Sequence, residues 1–184
     1  MPYNVDQLYE AIRKLCVIDI FVENDDDPQL IFESLNSTGL KLTEADMIRN
    51  FVLMGLEAKT QEEYYTRYWL DIEKNTNKTK KANFFRDYLT VKQGKIPAIR
   101  DVYFVFKKYA EDQDILPILV ELLKYSKIYN KILTSHTLCK DIDITLKRLN
   151  TLDMTVTYPF LLALFDYAHE VELPEEDLIN TLSC

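Results

Sequence analysis

The residues best placed to do chemistry lie between Ile31 and Asn50. Asn36, Ser37 and Thr38 form a polar turn closed by Gly39, and Thr43 then heads a new apolar-periodic segment. A helix starting there presents unsatisfied N–H groups and the positive end of its dipole, a place where an anion or phosphate binds. Arg49 follows about a turn and a half into that helix. It can reach a phosphate, or pair with Asp46 at i, i+3 on the same face. Thr43 with Asp46 also fits a capping box. The plain alternative is a helix-turn-helix corner, with Asn36 bonding backbone and Asp46–Arg49 a surface pair worth little.

Other chemistry finds little support. His136 and His169 are the only histidines, and neither has a ligand partner at helical or hairpin spacing. There is no His-Glu-x-x-His, no paired Cys-x-x-Cys, no Walker loop and no Gly-x-Ser-x-Gly. Both histidines read as structural or surface residues. Cys16, Cys139 and Cys184 are too few and too scattered for a disulfide scaffold or a zinc module, and suit a reducing cytoplasm. Cys16 reads as a small core residue. No apolar run approaches the ~20 residues of a membrane span, and no signal peptide opens the chain.

The chain has 184 residues, 47% of them apolar, which fits an ordered domain with a real core. Its net charge of −8 disfavours nucleic acid at first sight. The charge is uneven, however. Lys78 to Lys108 holds nine basic and two acidic residues, a net of +7 that leaves −15 elsewhere. That stretch interleaves Phe84, Phe85, Tyr88, Tyr103, Phe104 and Phe106 with its cations. It reads either as two amphipathic helices with basic solvent faces or as a surface for a phosphate backbone. Lys78, Lys80, Lys81 and Arg86 are the candidate contacts, the first three in a polar loop.

The elements that must position these residues are mostly helical. Asn4 or Asp6 caps a helix to about Lys14, with Val5, Leu8, Tyr9 and Ile12 on one face. Leu15 to Val22 has the length and composition of a buried strand, the one convincing strand in the chain. Asp27-Pro28 starts a helix to Leu35. Thr43 caps a central helix over 44–56, and Thr60 starts another, with an aromatic face of Tyr64, Tyr65, Tyr68, Trp69 and Ile72. The spacing predicts further helices near 80–92, 97–111, 114–133, 141–151, 158–171 and 175–183. In the longest, Ile115, Ile118, Leu119, Leu122, Tyr125, Tyr129 and Ile132 trace one stripe.

The string Phe32-x-x-Leu35-Asn36-Ser37-Thr38-Gly39-x-x-Leu42-x-x-x-Asp46-x-Ile48-Arg49-Asn50 resembles the second signature of the GmrS-type family, the N-terminal domain of GmrSD-like restriction endonucleases. The close match covers about residues 15–56. The resemblance implies a ParB-like, nucleotide-hydrolysing module used in defence against foreign DNA, such as phage, often followed by an HNH-type nuclease domain. The family's first signature, Asp-Gly-Gln-Gln-Arg followed by Leu-Thr-Thr, has no counterpart here. Nor do the HNH-type histidine cluster and the later Arg-Arg region. The chain therefore reads as an internal piece of a longer protein, with Met1 added ahead of it.

The expectation is a mainly α fold, a bundle of about nine or ten helices with one or two short β-strands near its start. Residues 1–56 are read as the end of the ParB-like core and 57–184 as a helical domain. The piece is expected to lack catalytic residues, metal and cofactor, while the intact cytoplasmic protein uses NTP and a divalent metal on DNA. Its expected partners are the missing parts of the same protein, DNA, and a second copy, with no membrane. Asn36, Ser37, Thr38, Gly39, Asp46 and Arg49 would brace the nucleotide or phosphate site. The alternatives are a helical interaction or dimerisation module without a nucleotide role, and a toxin-like or regulatory nuclease.

Overall fold

The computed structural model describes residues 4–16, 31, 34, 42–76 and 81–183. These are mainly helical, as the 3.6-residue period requires. The strand expected over 15–22 lies outside them, apart from Leu15 and Cys16, which belong to neither helix nor strand. Cys16 is exposed, so its expected place in the core is corrected. Ile31 and Ser34 are helical, while Asn36, Ser37, Thr38, Gly39, Lys78 and Lys80 lie outside the described residues.

Helix α1 spans Val5–Arg13, and Asn4 caps it by accepting the Asp6 N–H at 3.0 Å. Helix α2 spans Glu44–Leu53. Thr43 and Asp46 close the expected capping box: Thr43 Oγ1 accepts the Asp46 N–H at 3.2 Å and donates to Asp46 Oδ2 at 2.7 Å. Helix α2 ends earlier than its apolar run suggests, because the chain turns through Gly55 at a φ of +77°. Thr43→Ala removes a side-chain acceptor from the N–H groups of the first turn. It should cost about 1 kcal/mol in chemical denaturation, and Thr43→Ser should restore most of it.

Helix α3 (Ala58–Tyr64) starts after Glu57, two residues before the expected Thr60. It runs into a π turn over Tyr65–Trp69 and then α4 over Leu70–Asn75. In the π turn the Leu70 N–H reaches the Tyr65 carbonyl, and the Thr66 hydroxyl donates to the Glu62 carbonyl at 2.7 Å. The extra residue in this turn shifts the aromatic face, so that Trp69 and Ile72 point inward while Tyr65 and Tyr68 stay half-buried.

Helices α5 (Lys81–Gln93), α6 (Val102–Ala110), α7 (Ile115–Thr134) and α9 (Tyr158–Glu170) enclose the core. A 3₁₀ turn over Ile99–Asp101 leads into α6, and another over Thr155–Thr157 leads into α9. Helix α5 is central, packed against α2, α6, α7 and α9. Its Phe84 ring meets Phe85, Tyr88 and Tyr129 at centroid distances of 5.1, 6.5 and 5.3 Å. Trp69 stacks on Phe85 at 5.8 Å. The Glu44 carboxylate on α2 accepts the Tyr103 N–H at 2.7 Å and so caps α6 from another helix. Burial raises its pKa.

Helices α8 (Lys140–Thr151) and α10 (Glu175–Ser183) complete the described chain and pack on each other. Asn150 joins three helices. Its amide donates to the last carbonyls of α7, 2.8 Å from Ile132 O, while its oxygen accepts the Tyr158 hydroxyl of α9 at 2.7 Å. The Ile132 carbonyl also accepts the Ser135 N–H at 3.3 Å, so Asn150 adds a second donor at this helix end. The stripe expected along α7 is the buried one, from Ile118 to Ile132.

Candidate functional site

A cleft of about 200 Å³ opens where α2 meets α3 and the π turn. Arg49, Asn50, Leu53, Met54, Gln61 and Tyr65 line it. The capping box fixes where α2 begins, and so fixes which of its faces Arg49 and Asn50 occupy. Ala45, Ile48 and Val52 point the other way, into the core, and anchor the helix. The π turn places Tyr65 across from them; such turns recur at functional sites.

Arg49 and Asp46 do not pair. Asp46 gives its carboxylate to Thr43, and among the described residues Arg49 has neither an ion pair nor a hydrogen bond. Arg49, Asn50 and Tyr65 are half-buried and Gln61 is exposed. The cleft thus offers a guanidinium, two amides and a phenol over an apolar floor, with no carboxylate in its lining. That donor set suits an anion: five guanidinium N–H groups in a planar fork match a phosphate or carboxylate. Sequence spacing brought out Arg49 alone. Gln61 and Tyr65 join it only because α3 and the π turn border the same cleft as α2.

The basic stretch is placed differently from the expectation. Lys81 opens α5 rather than lying in a loop, and its Nζ pairs with Glu73 at 2.8 Å. Arg86 pairs with Asp87 through Nε at 3.1 Å and Nη2 at 3.0 Å, both to Oδ1. Lys92 pairs with Glu121, which also accepts the Tyr88 hydroxyl at 2.5 Å. Of the interleaved aromatics, Phe84, Phe85, Tyr88, Tyr103 and Phe106 are at most 1% exposed and belong to the core. Phe104 is 57% exposed. Among the described residues of this stretch, Lys95 and Lys108 are exposed without an ion pair, and exposed Arg100 lies 3.9 Å from its neighbour Asp101.

Asp87 is 1% exposed, and its Oδ2 accepts no hydrogen bond from the described residues. Burial raises its pKa to about 6, against the opposing pull of Arg86. Burial also raises the phenols of Tyr129 and Tyr158 beside it. His136 and His169 are exposed. No cluster of three or more metal-ligating side chains occurs among the described residues. No described helix is long and apolar enough to cross a membrane. Known protein families, curated proteins and solved structures include no match to this chain.

Proposed function

We propose that the chain is the helical part of a GmrSD-like, nucleotide-dependent protein that restricts DNA, and that the Arg49 cleft is where it meets a phosphate. The observation that carries this reading is Arg49, half-buried in the cleft and, among the described residues, without a carboxylate, while Asp46 serves the cap. In the resemblance, Arg49 belongs to the same string as the Asn36–Gly39 turn, just ahead of α2. Arg49 would hold a phosphate oxygen, with Asn50 and Gln61 donating beside it. Asp46 sets the helix start. In the intact protein, NTP and a divalent metal would complete the site, and DNA would be the target.

Binding of ATP, GTP and inorganic triphosphate by calorimetry tests this. Arg49→Ala should weaken the bound species roughly tenfold to hundredfold, the range of a charge-assisted hydrogen bond. Arg49→Lys should recover part of it. Equal affinity in wild type and Arg49→Ala would overturn the reading.

A second reading, a helical interaction module, is favoured by α1. Val5, Leu8, Tyr9 and Ile12 share one face of it and are 54–77% exposed. Under that reading Arg49→Ala is silent.

A further inference from the structure

A groove of about 320 Å³ runs between α7 and α9, lined by Lys124, Lys127, Ile128, Lys131, Phe165 and His169. The two helices lie antiparallel there. The Tyr125 hydroxyl donates to Asp166 Oδ2 at 2.8 Å, while the Tyr129 ring meets that of Tyr158 at 5.6 Å. Ile128 and Phe165 are half-buried and give the groove its apolar surface. The cations are unequally satisfied. At one end Lys124 Nζ lies 2.5 Å from Asp166 Oδ1 and 3.2 Å from Glu170 Oε1, so two carboxylates meet one ammonium. Further along α7, Lys127 and Lys131 are exposed and have neither an ion pair nor a hydrogen bond among the described residues. They stand roughly one helical turn apart, about 6 Å along the axis.

We propose that this groove binds a phosphate monoester of a flat ring, as in an aryl phosphate or a nucleoside monophosphate. The phosphate sits between the ammonium groups of Lys127 and Lys131, and the ring lies on Ile128 and Phe165. Charge selects the head group. Two reachable cations without a carboxylate balance a phosphate dianion, and an ammonium holds a phosphate as a point charge, without the planar fork that favours a carboxylate. Charge also sets the direction. The surplus carboxylate at the Lys124 end turns the phosphate toward Lys131. The apolar surface selects the ring, which leaves water on Ile128 and gains an aromatic contact with Phe165. This groove shares no residue with the Arg49 cleft, and its occupancy does not depend on what that cleft binds.

The test is an NMR titration of the ¹⁵N-labelled chain at about pH 8, where a phosphate monoester is a dianion. The probes are 1-naphthyl phosphate and adenosine monophosphate, each against its phosphate-free form, and inorganic phosphate alone. Saturable shifts at the Lys127, Ile128, Lys131 and His169 amides are expected with at least one ester, and the tighter ester separates a simple aryl phosphate from a nucleotide. The phosphate-free form and inorganic phosphate should each bind at least about tenfold more weakly than that ester. Lys127→Gln with Lys131→Gln changes two exposed side chains and keeps the fold. The pair should weaken binding about tenfold, roughly threefold to fivefold for each exposed ion pair lost. Lys140→Gln, the same charge change at an exposed position on α8, and Arg49→Ala should both leave the affinity unchanged. Inorganic phosphate binding as tightly as the esters, full affinity in the double lysine variant, an equal loss in Lys140→Gln or Arg49→Ala, or no saturable shift at these amides would each overturn the proposal.

Discussion

Phe84→Ala should cost about 3–5 kcal/mol of stability, the range for truncating a buried aromatic ring. Phe84 is fully buried and lies among Phe85, Tyr88 and Tyr129 at the centre of the bundle. Losing the ring removes its transfer free energy and its edge-to-face contacts, and leaves a cavity between α5 and α7 that helix backbones cannot close. Phe104→Ala, a truncation of the same size twenty positions on, should stay within about 0.5 kcal/mol, because that ring is 57% exposed. Urea denaturation of both variants decides the matter. A cost below about 1 kcal/mol at Phe84 would mean that these helices do not pack as described.

The second large effect depends on pH. Asp87 has an ordinary pKa of 3.8 and a folded value of about 6, raised by burial. The folded state therefore holds the proton more tightly than the unfolded chain. Its contribution is present in full below pH 3.8 and is lost as pH rises through about 6. Across that window the wild type should lose about 3 kcal/mol relative to Asp87→Asn, which cannot titrate. The groups facing Asp87 are Arg86, Tyr129 and Tyr158. The phenols of Tyr129 and Tyr158 are held above their ordinary range by burial, so neither loses its proton in this window. Denaturation midpoints of the two proteins at pH 4, 6 and 8 measure the difference. Parallel pH profiles would contradict the burial of this carboxylate.

Much of this fold is legible in the sequence. Periodicity locates α5 to α10 to within about two residues at most ends, since each needs an apolar stripe to join the core. The Thr43–Asp46 box is equally legible, because capping is local chemistry. The rest depends on long-range packing. Val5, Leu8, Tyr9 and Ile12 have the spacing of a core stripe, yet no described residue covers them. Amphipathicity shows that a face exists and not what it meets. The π turn has no local signature, so the aromatic run after Gln61 reads as one continuous helix.

The candidate site was legible in part for similar reasons. Arg49 stands out by motif, while Gln61 and Tyr65 reach it only through the α2–α3 corner. Arg86 reads as a solvent cation because neighbours at i, i+1 do not face each other on a helix. The burial of Asp87 draws the guanidinium over it instead. In the same way Lys81 and Lys92 meet carboxylates eight and twenty-nine positions away.

The Asn150 junction bears on how the second half of the chain opens and closes. Helix α7 ends at Ser135 in the left-handed region, and its last carbonyls take a side-chain donor from a residue on α8 that is itself held by α9. None of the three helices can detach without exposing polar groups of the other two. They should therefore open as one cooperative unit, with backbone amides in all three sharing a single free energy of exchange with solvent. Helix α1, which contributes no buried residue, stands outside that unit.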